Sequence, residues 1–139
     1  MGVVEAFAPL RWTILITDLE PIRGHEQGGT RRVLVVSYEP FHKSASVTVC
    51  PITAARRVTR YPNEVPIPSG EAGQTSDAVI LCHQVRSISL ERILSPPSPV
   101  GYLTNPDLRA EVRSALAKHL GLDTHPRSDR ANGSGMFRP

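Results

Sequence analysis

Proline and glycine cut the first hundred residues into apolar runs too short for anything but strands. Trp12–Thr17 (WTILIT) ends at Asp18-Leu19-Glu20-Pro21, and Gly24, Gly28 and Gly29 interrupt the chain before Arg31–Tyr38 (RRVLVVSY). Ser46–Thr53 (SVTVCPIT), Asn63–Ile67 (NEVPI) and Asp77–Arg86 (DAVILCHQVR) follow, separated by a basic loop at 54–61 and a Gly/Pro/Ser-rich turn at 68–76. Their length and β-branched content predict strands. A proline cannot donate to a ladder, so Pro51 predicts an edge or a bulge in the third run and Pro66 places the fourth at an edge.

One segment departs from this pattern. Asn105 is a good N-cap, Pro106 suits the first helical position, and Asp107 adds an acid to the first turn. Leu108, Val112, Ala115, Leu116 and Leu120 recur at helical spacing, Lys118 and His119 sit near the negative end, and Gly121 can close the helix. Ser89–Leu94 has room for a short helix and Ser95–Pro99 reads as a rigid linker. The fold class is therefore α+β, mainly β: a small antiparallel barrel with a C-terminal helix packed on it. With 139 residues the chain suits a single domain over 1–122, and the polar stretch 123–139 is expected to be a disordered tail.

Charge narrows the function more than the total suggests. Lys and Arg number 16 against 13 Asp and Glu, a small excess, yet Arg31, Arg32, Lys43, Arg56, Arg57 and Arg60 crowd one segment that holds only Glu26 and Glu39. That arrangement fits a polyanion site better than membrane adhesion. Cys50 and Cys82 are isolated in sequence within apolar runs, which gives neither metal spacing nor a disulfide framework; free buried thiols in a reducing compartment are expected. No leader or membrane-spanning stretch is evident, so a cytoplasmic protein that stays off membranes is expected.

Three clusters could carry chemistry. The first is Gly24-His25-Glu26-Gln27-Gly28-Gly29-Thr30-Arg31-Arg32, where the paired glycines let backbone approach a ligand and feed two arginines onto a strand. Neighbouring strand residues face opposite ways, so only one of Arg31 and Arg32 can enter a given site. Neither a Walker A loop nor a dinucleotide fingerprint is matched. The second is Cys50-Pro51-Ile52-Thr53 beside Arg56 and Arg57. In the third, His83-Gln84-Val85-Arg86, strand alternation would put Gln84 and Arg86 on one face and His83 on the other.

These residues resemble a known family. Gly24 to Ser37 is similar to the G-[SH]-E-Q-x-G-x-R-P-V-L-[VI]-V-[ST] block of MazF/PemK toxins, and Asp18-Leu19-Glu20-Pro21 resembles its lead-in. Val49–Thr53, Tyr61–Val65 and Cys82–Ile88 resemble further blocks, in the right order over about 11–94. The resemblance implies an SH3-like barrel of the MazF/CcdB kind, a homodimer, and a cognate antitoxin as partner. It also implies metal-independent and cofactor-free cleavage of single-stranded RNA, leaving a 2′,3′-cyclic phosphate. By position, Arg31 and Thr53 match the catalytic Arg and Thr, with Glu26 and His25 as further catalytic candidates. Gln27, Gly28, Gly29, Arg32, Arg56, Arg57, His83, Gln84 and Arg86 fall where RNA contacts are implied.

The chemistry suits those roles. An Arg guanidinium stays protonated and can hold two oxygens of a pentavalent phosphorus, whereas His25 titrates near neutrality and is the better proton carrier. Three residues depart from the family pattern: Trp12 stands where Gly is usual, Arg32 where Pro is usual, and His83 where an acid is usual. Two other functions keep the same fold: a CcdB-like gyrase-poisoning toxin, and an inactive module that binds RNA or antitoxin.

Overall fold

The computed structural model describes residues 10–20, 24, 29–38, 45–55, 62–94 and 99–124. Seven antiparallel strands form one curled sheet: β1 (Thr13–Asp18), β2 (Thr30–Val35), β3 (Ser46–Ala54), β4 (Glu64–Ile67), β5 (Ala78–Leu81), β6 (Arg86–Ser89) and β7 (Gly101–Tyr102). One α-helix among the described residues, α1 (Pro106–Leu120), follows. The mainly β class with a C-terminal helix is as predicted. The short β7 carried no signal in the sequence.

Strand β3 is the hub. One edge pairs with β2, while the other takes β6 along Ser46–Val49 and β5 along Ile52–Ala54. After β6 the chain crosses to the edge of β1 opposite β2, where Ile93 bridges Thr17 and β7 pairs with Thr13 and Ile14. That crossing curls the sheet toward closure. Pro51 therefore lies in a central strand, not at the predicted edge. The N–H of Ala55 points toward the β5 side, so by alternation the donor missing from Pro51 belongs on that side too, in the gap between β5 and β6. No ladder bond is lost there.

The same gap corrects the reading of Asp77–Arg86 as one strand. The strand stops at Leu81, Cys82–Gln84 form a 3₁₀ turn, and β6 starts at Arg86. Pro66 does sit on the edge strand β4, exposed between buried Val65 and Ile67.

Alternation divides the core in two. Leu15, Val33, Val35, Val47, Val49, Ile88 and Ile93 fill the concave, barrel side. Ile14, Leu34, Cys50, Ile52, Val65 and Ile80 face the other way and pack with Leu108, Val112 and Ala115 of α1. Asn105 caps the helix by accepting from the Asp107 and Leu108 N–H groups, and Gly121 ends it at φ 70°. Leu120, expected on the apolar stripe, is 58% exposed, on an open groove it lines with Leu116, Val36, Val47 and Val85.

Cys50 and Cys82, distant in sequence, meet in this second core as free, buried thiols. A hydrogen bond between them, and then burial, push the Cys50 thiol far above its usual range. Of the expected tail, 123–139, all but residues 123 and 124 lies outside the described residues. No helix among those described is long and apolar enough to cross a membrane.

Candidate active site

Arg31 is the exposed second residue of β2 and shares the barrel side of the sheet with Val33 and Val35. It pairs with Thr17 of β1, whose buried hydroxyl donates to the Arg31 carbonyl at 3.5 Å. The pairing of Arg32 with Ile52, carried one residue further, sets Arg31 opposite Thr53. Thr53 is half-buried and faces away from Ile52, hence also toward the barrel side. Strand geometry alone thus brings the two together at the rim.

Arg86 joins them on that face. It pairs with Val49, two positions from Ile88, and both of those residues belong to the barrel core. Its Nη1 is buried and has no hydrogen-bond partner among the described residues. A guanidinium N–H left in that condition is costly, by about 1–3 kcal/mol, unless an acceptor arrives.

Arg32 is turned the other way, as expected from alternation. Its Nη1 donates to Oε1 of Gln74 at 3.1 Å, and Gln74 is itself buried. The turn bearing Gln74 is seated by close backbone contact: a Cβ on Gly101 would lie 2.2 Å from the Ala72 carbonyl oxygen. His83 and Gln84, half-buried, ride the 3₁₀ turn between β5 and β6 and so do not alternate as a strand would.

His25, Glu26, Gln27 and Gly28, with Arg56 and Arg57, lie outside the described residues. The ends of the first of these segments are fixed, however. Leu19 N–H donates to the Gly29 carbonyl at 3.0 Å, and Gly29 N–H donates to the Glu20 carboxylate. Gly29 holds φ 71°, a left-handed backbone that favours glycine. Arg92 adds a clamp, donating to the carbonyls of Asp18, at 3.1 Å, and Glu20. Thr17, Glu20, Gln74 and Arg92 were not singled out by sequence. Only Glu20, within the family-like lead-in, carried any signal.

Known proteins place this arrangement. The family model for the PemK-like, MazF-like toxin of type II toxin–antitoxin systems matches residues 10–120. The chain belongs to that family. An endoribonuclease MazF from Staphylococcus saprophyticus is 31% identical over 115 residues, covering 82% of this chain and 92% of the relative. A crystal structure of MazF from Deinococcus radiodurans shares 29% identity at a TM-score of 0.67, covering 83% of this chain and 98% of that one. A MazE–MazF crystal structure from the same organism shares 28% at 0.63, covering 84% and 99%.

Within the PemK/MazF frame, the departure at Trp12 has a structural reading. Trp12 adopts φ 72°, the left-handed region in which a glycine is unstrained. The tryptophan thus starts β1 from a conformation that glycine adopts without strain, and it adds a buried ring.

Proposed function

We propose that this PemK/MazF-family chain is a toxin endoribonuclease that cuts single-stranded RNA at the face bearing Arg31, Thr53 and Arg86. The observation that carries the reading is the convergence of these three side chains on one side of the sheet, with a buried Arg86 N–H awaiting an acceptor. A phosphodiester supplies such an acceptor, and guanidinium pairs bind it with charge-assisted bonds. The names of the Staphylococcus and Deinococcus relatives support the same activity and an antitoxin partner.

The reaction follows from the residue types. The 2′-oxygen attacks phosphorus and loses its proton to a base, for which His25 is the candidate by family position. The bond to the 5′-oxygen breaks, that oxygen gains a proton, and a 2′,3′-cyclic phosphate remains. Arg31 stabilises the extra negative charge on the pentavalent phosphorus. Thr53 orients a phosphate oxygen through its hydroxyl. Glu26, Gln27, Gly28, Gly29, Arg56, Arg57, His83 and Gln84 are assigned to the same site or its approach by family position. Arg32, tied to Gln74, serves the architecture of the platform.

The functional unit in this reading is a cytoplasmic homodimer held in check by a cognate antitoxin. The paired free thiols suit a reducing compartment. Arg31→Ala is expected to slow cleavage of single-stranded RNA by two to three orders of magnitude, about 3–4 kcal/mol, with Arg31→Lys restoring little. Wild-type cleavage should persist in EDTA. An Arg31→Ala protein that cuts RNA at the wild-type rate refutes the assignment, and a gyrase-directed or inactive chain would give no cleavage at all.

A further inference from the structure

The single tryptophan is ringed by cations. The guanidinium carbons of Arg11, Arg109 and Arg113 lie 4.9, 5.2 and 5.3 Å from the centre of the Trp12 ring. Arg11 also lies 6.0 Å from the ring of Tyr38, which is 62% exposed. One ring attracts a cation by about 0.5–2 kcal/mol, but three like charges around it repel one another. Burial first, and then the charges of Arg113 and Arg109, lower the pKa of Arg11. Three guanidinium groups gathered round one ring concentrate positive charge at one place, and such a concentration attracts polyanions.

We infer that Arg11, Arg109 and Arg113 around Trp12 form a second contact surface for the RNA backbone, separate from the cleavage face. The inference rests on the ribonuclease reading above. Trp12 N–H donates to the Val35 carbonyl at 2.8 Å, which puts the cluster at the opposite end of β2 from Arg31. At the usual strand rise that is about 13 Å along the strand. Trp12 also belongs to the helix-side core, whereas Arg31 faces the barrel side. A strand leaving the cleavage face must pass round the sheet to reach the cluster, so only longer RNA can touch both.

The chemistry favours nucleic acid. Planar guanidinium forks match phosphate oxygens, and the stack on Trp12 fixes them in advance, which lowers the ordering cost of binding. Arg109 is further held through its Nε, which donates to the Leu103 carbonyl at 2.6 Å. Arg113 is exposed one helical turn later. The open face of Tyr38 offers a base a place to stack.

Trp12 fluorescence reports directly on this surface. The full chain would be titrated with uncleavable 2′-O-methyl oligonucleotides, one of about 6 and one of about 20 nucleotides, spanning the site sizes typical of single-strand binders. The long oligonucleotide is expected to change Trp12 emission and the short one to leave it unaltered. Arg113→Gln should weaken the long oligonucleotide several-fold and lower its salt slope by about 1, with the short one binding as before. Long-oligonucleotide binding that leaves emission unchanged, with the same slope in Arg113→Gln, overturns the inference while sparing the ribonuclease reading. Failure of both oligonucleotides to bind overturns both. A poly-glutamate peptide that shifts emission where RNA does not would assign the surface to an acidic protein and likewise refute it.

Discussion

Replacing Trp12 separates two opposing contributions that the structure places on one residue. The ring is only 6% exposed and packs in the helix-side core, so removing it should cost about 3–5 kcal/mol. The backbone at φ 72° works in the other direction. A side chain there costs about 1–2 kcal/mol relative to an unstrained conformation, and glycine removes that strain at an entropic cost of about 0.5–1 kcal/mol. Trp12→Ala loses the ring and keeps the strain; Trp12→Gly loses the ring and relieves it. The glycine variant should therefore be the more stable of the two by about 0.5–1 kcal/mol, while both fall well below the parent. Urea unfolding followed by far-UV circular dichroism, with m held in common, measures both differences. An alanine variant as stable as the glycine one would refute the backbone argument. Losses under about 1 kcal/mol in both would refute the packing argument.

Other consequences are simpler to test. Thr53→Val, nearly isosteric, removes one hydrogen bond and no charge, so its loss in cleavage rate should be smaller than that of Arg31→Ala; single-turnover cleavage compares them. His25→Ala should lower the rate and erase the limb of the pH–rate profile near neutrality, and an unchanged profile would exclude His25 from proton transfer. With the Cys50 thiol pushed up by Cys82 and by burial, Cys50 stays protonated through the neutral range. Iodoacetamide should leave both thiols intact in the folded protein and label both in urea, as mass spectrometry would show.

Much of the scaffold was legible because local rules decided it. The caps of α1 at Asn105 and Gly121, and Pro66 on an edge strand, follow from residue type alone. Arg31 and Arg32 did part to opposite faces, because strand alternation does not depend on partners. What the sequence hid was decided by partners. Cys82–Gln84 read as strand because nothing local shows that β3 changes neighbours at Pro51. Gln74 looked like one polar residue in a turn until the Ala72–Gly101 contact seated it against Arg32. Cys50 and Cys82 meet only because β3 and β5 pair. At the site, the blocks around Arg31 and Thr53 stood out by family likeness, and the register that joins them is a property of the sheet.

The contacts that join Glu20 and Arg92 to the two ends of the 21–28 segment amount to a socket. Whatever lies between Glu20 and Gly29 is inserted into a frame whose closure is maintained by residues outside it. Lengthening such an insert is cheap, about 0.6 kcal/mol for each doubling, and leaves the pairing of Arg31 with Thr17 untouched. A change of length between Glu20 and Gly29 would therefore displace His25, the candidate base, while the strand pairing that sets Arg31 beside Thr53 stays in place.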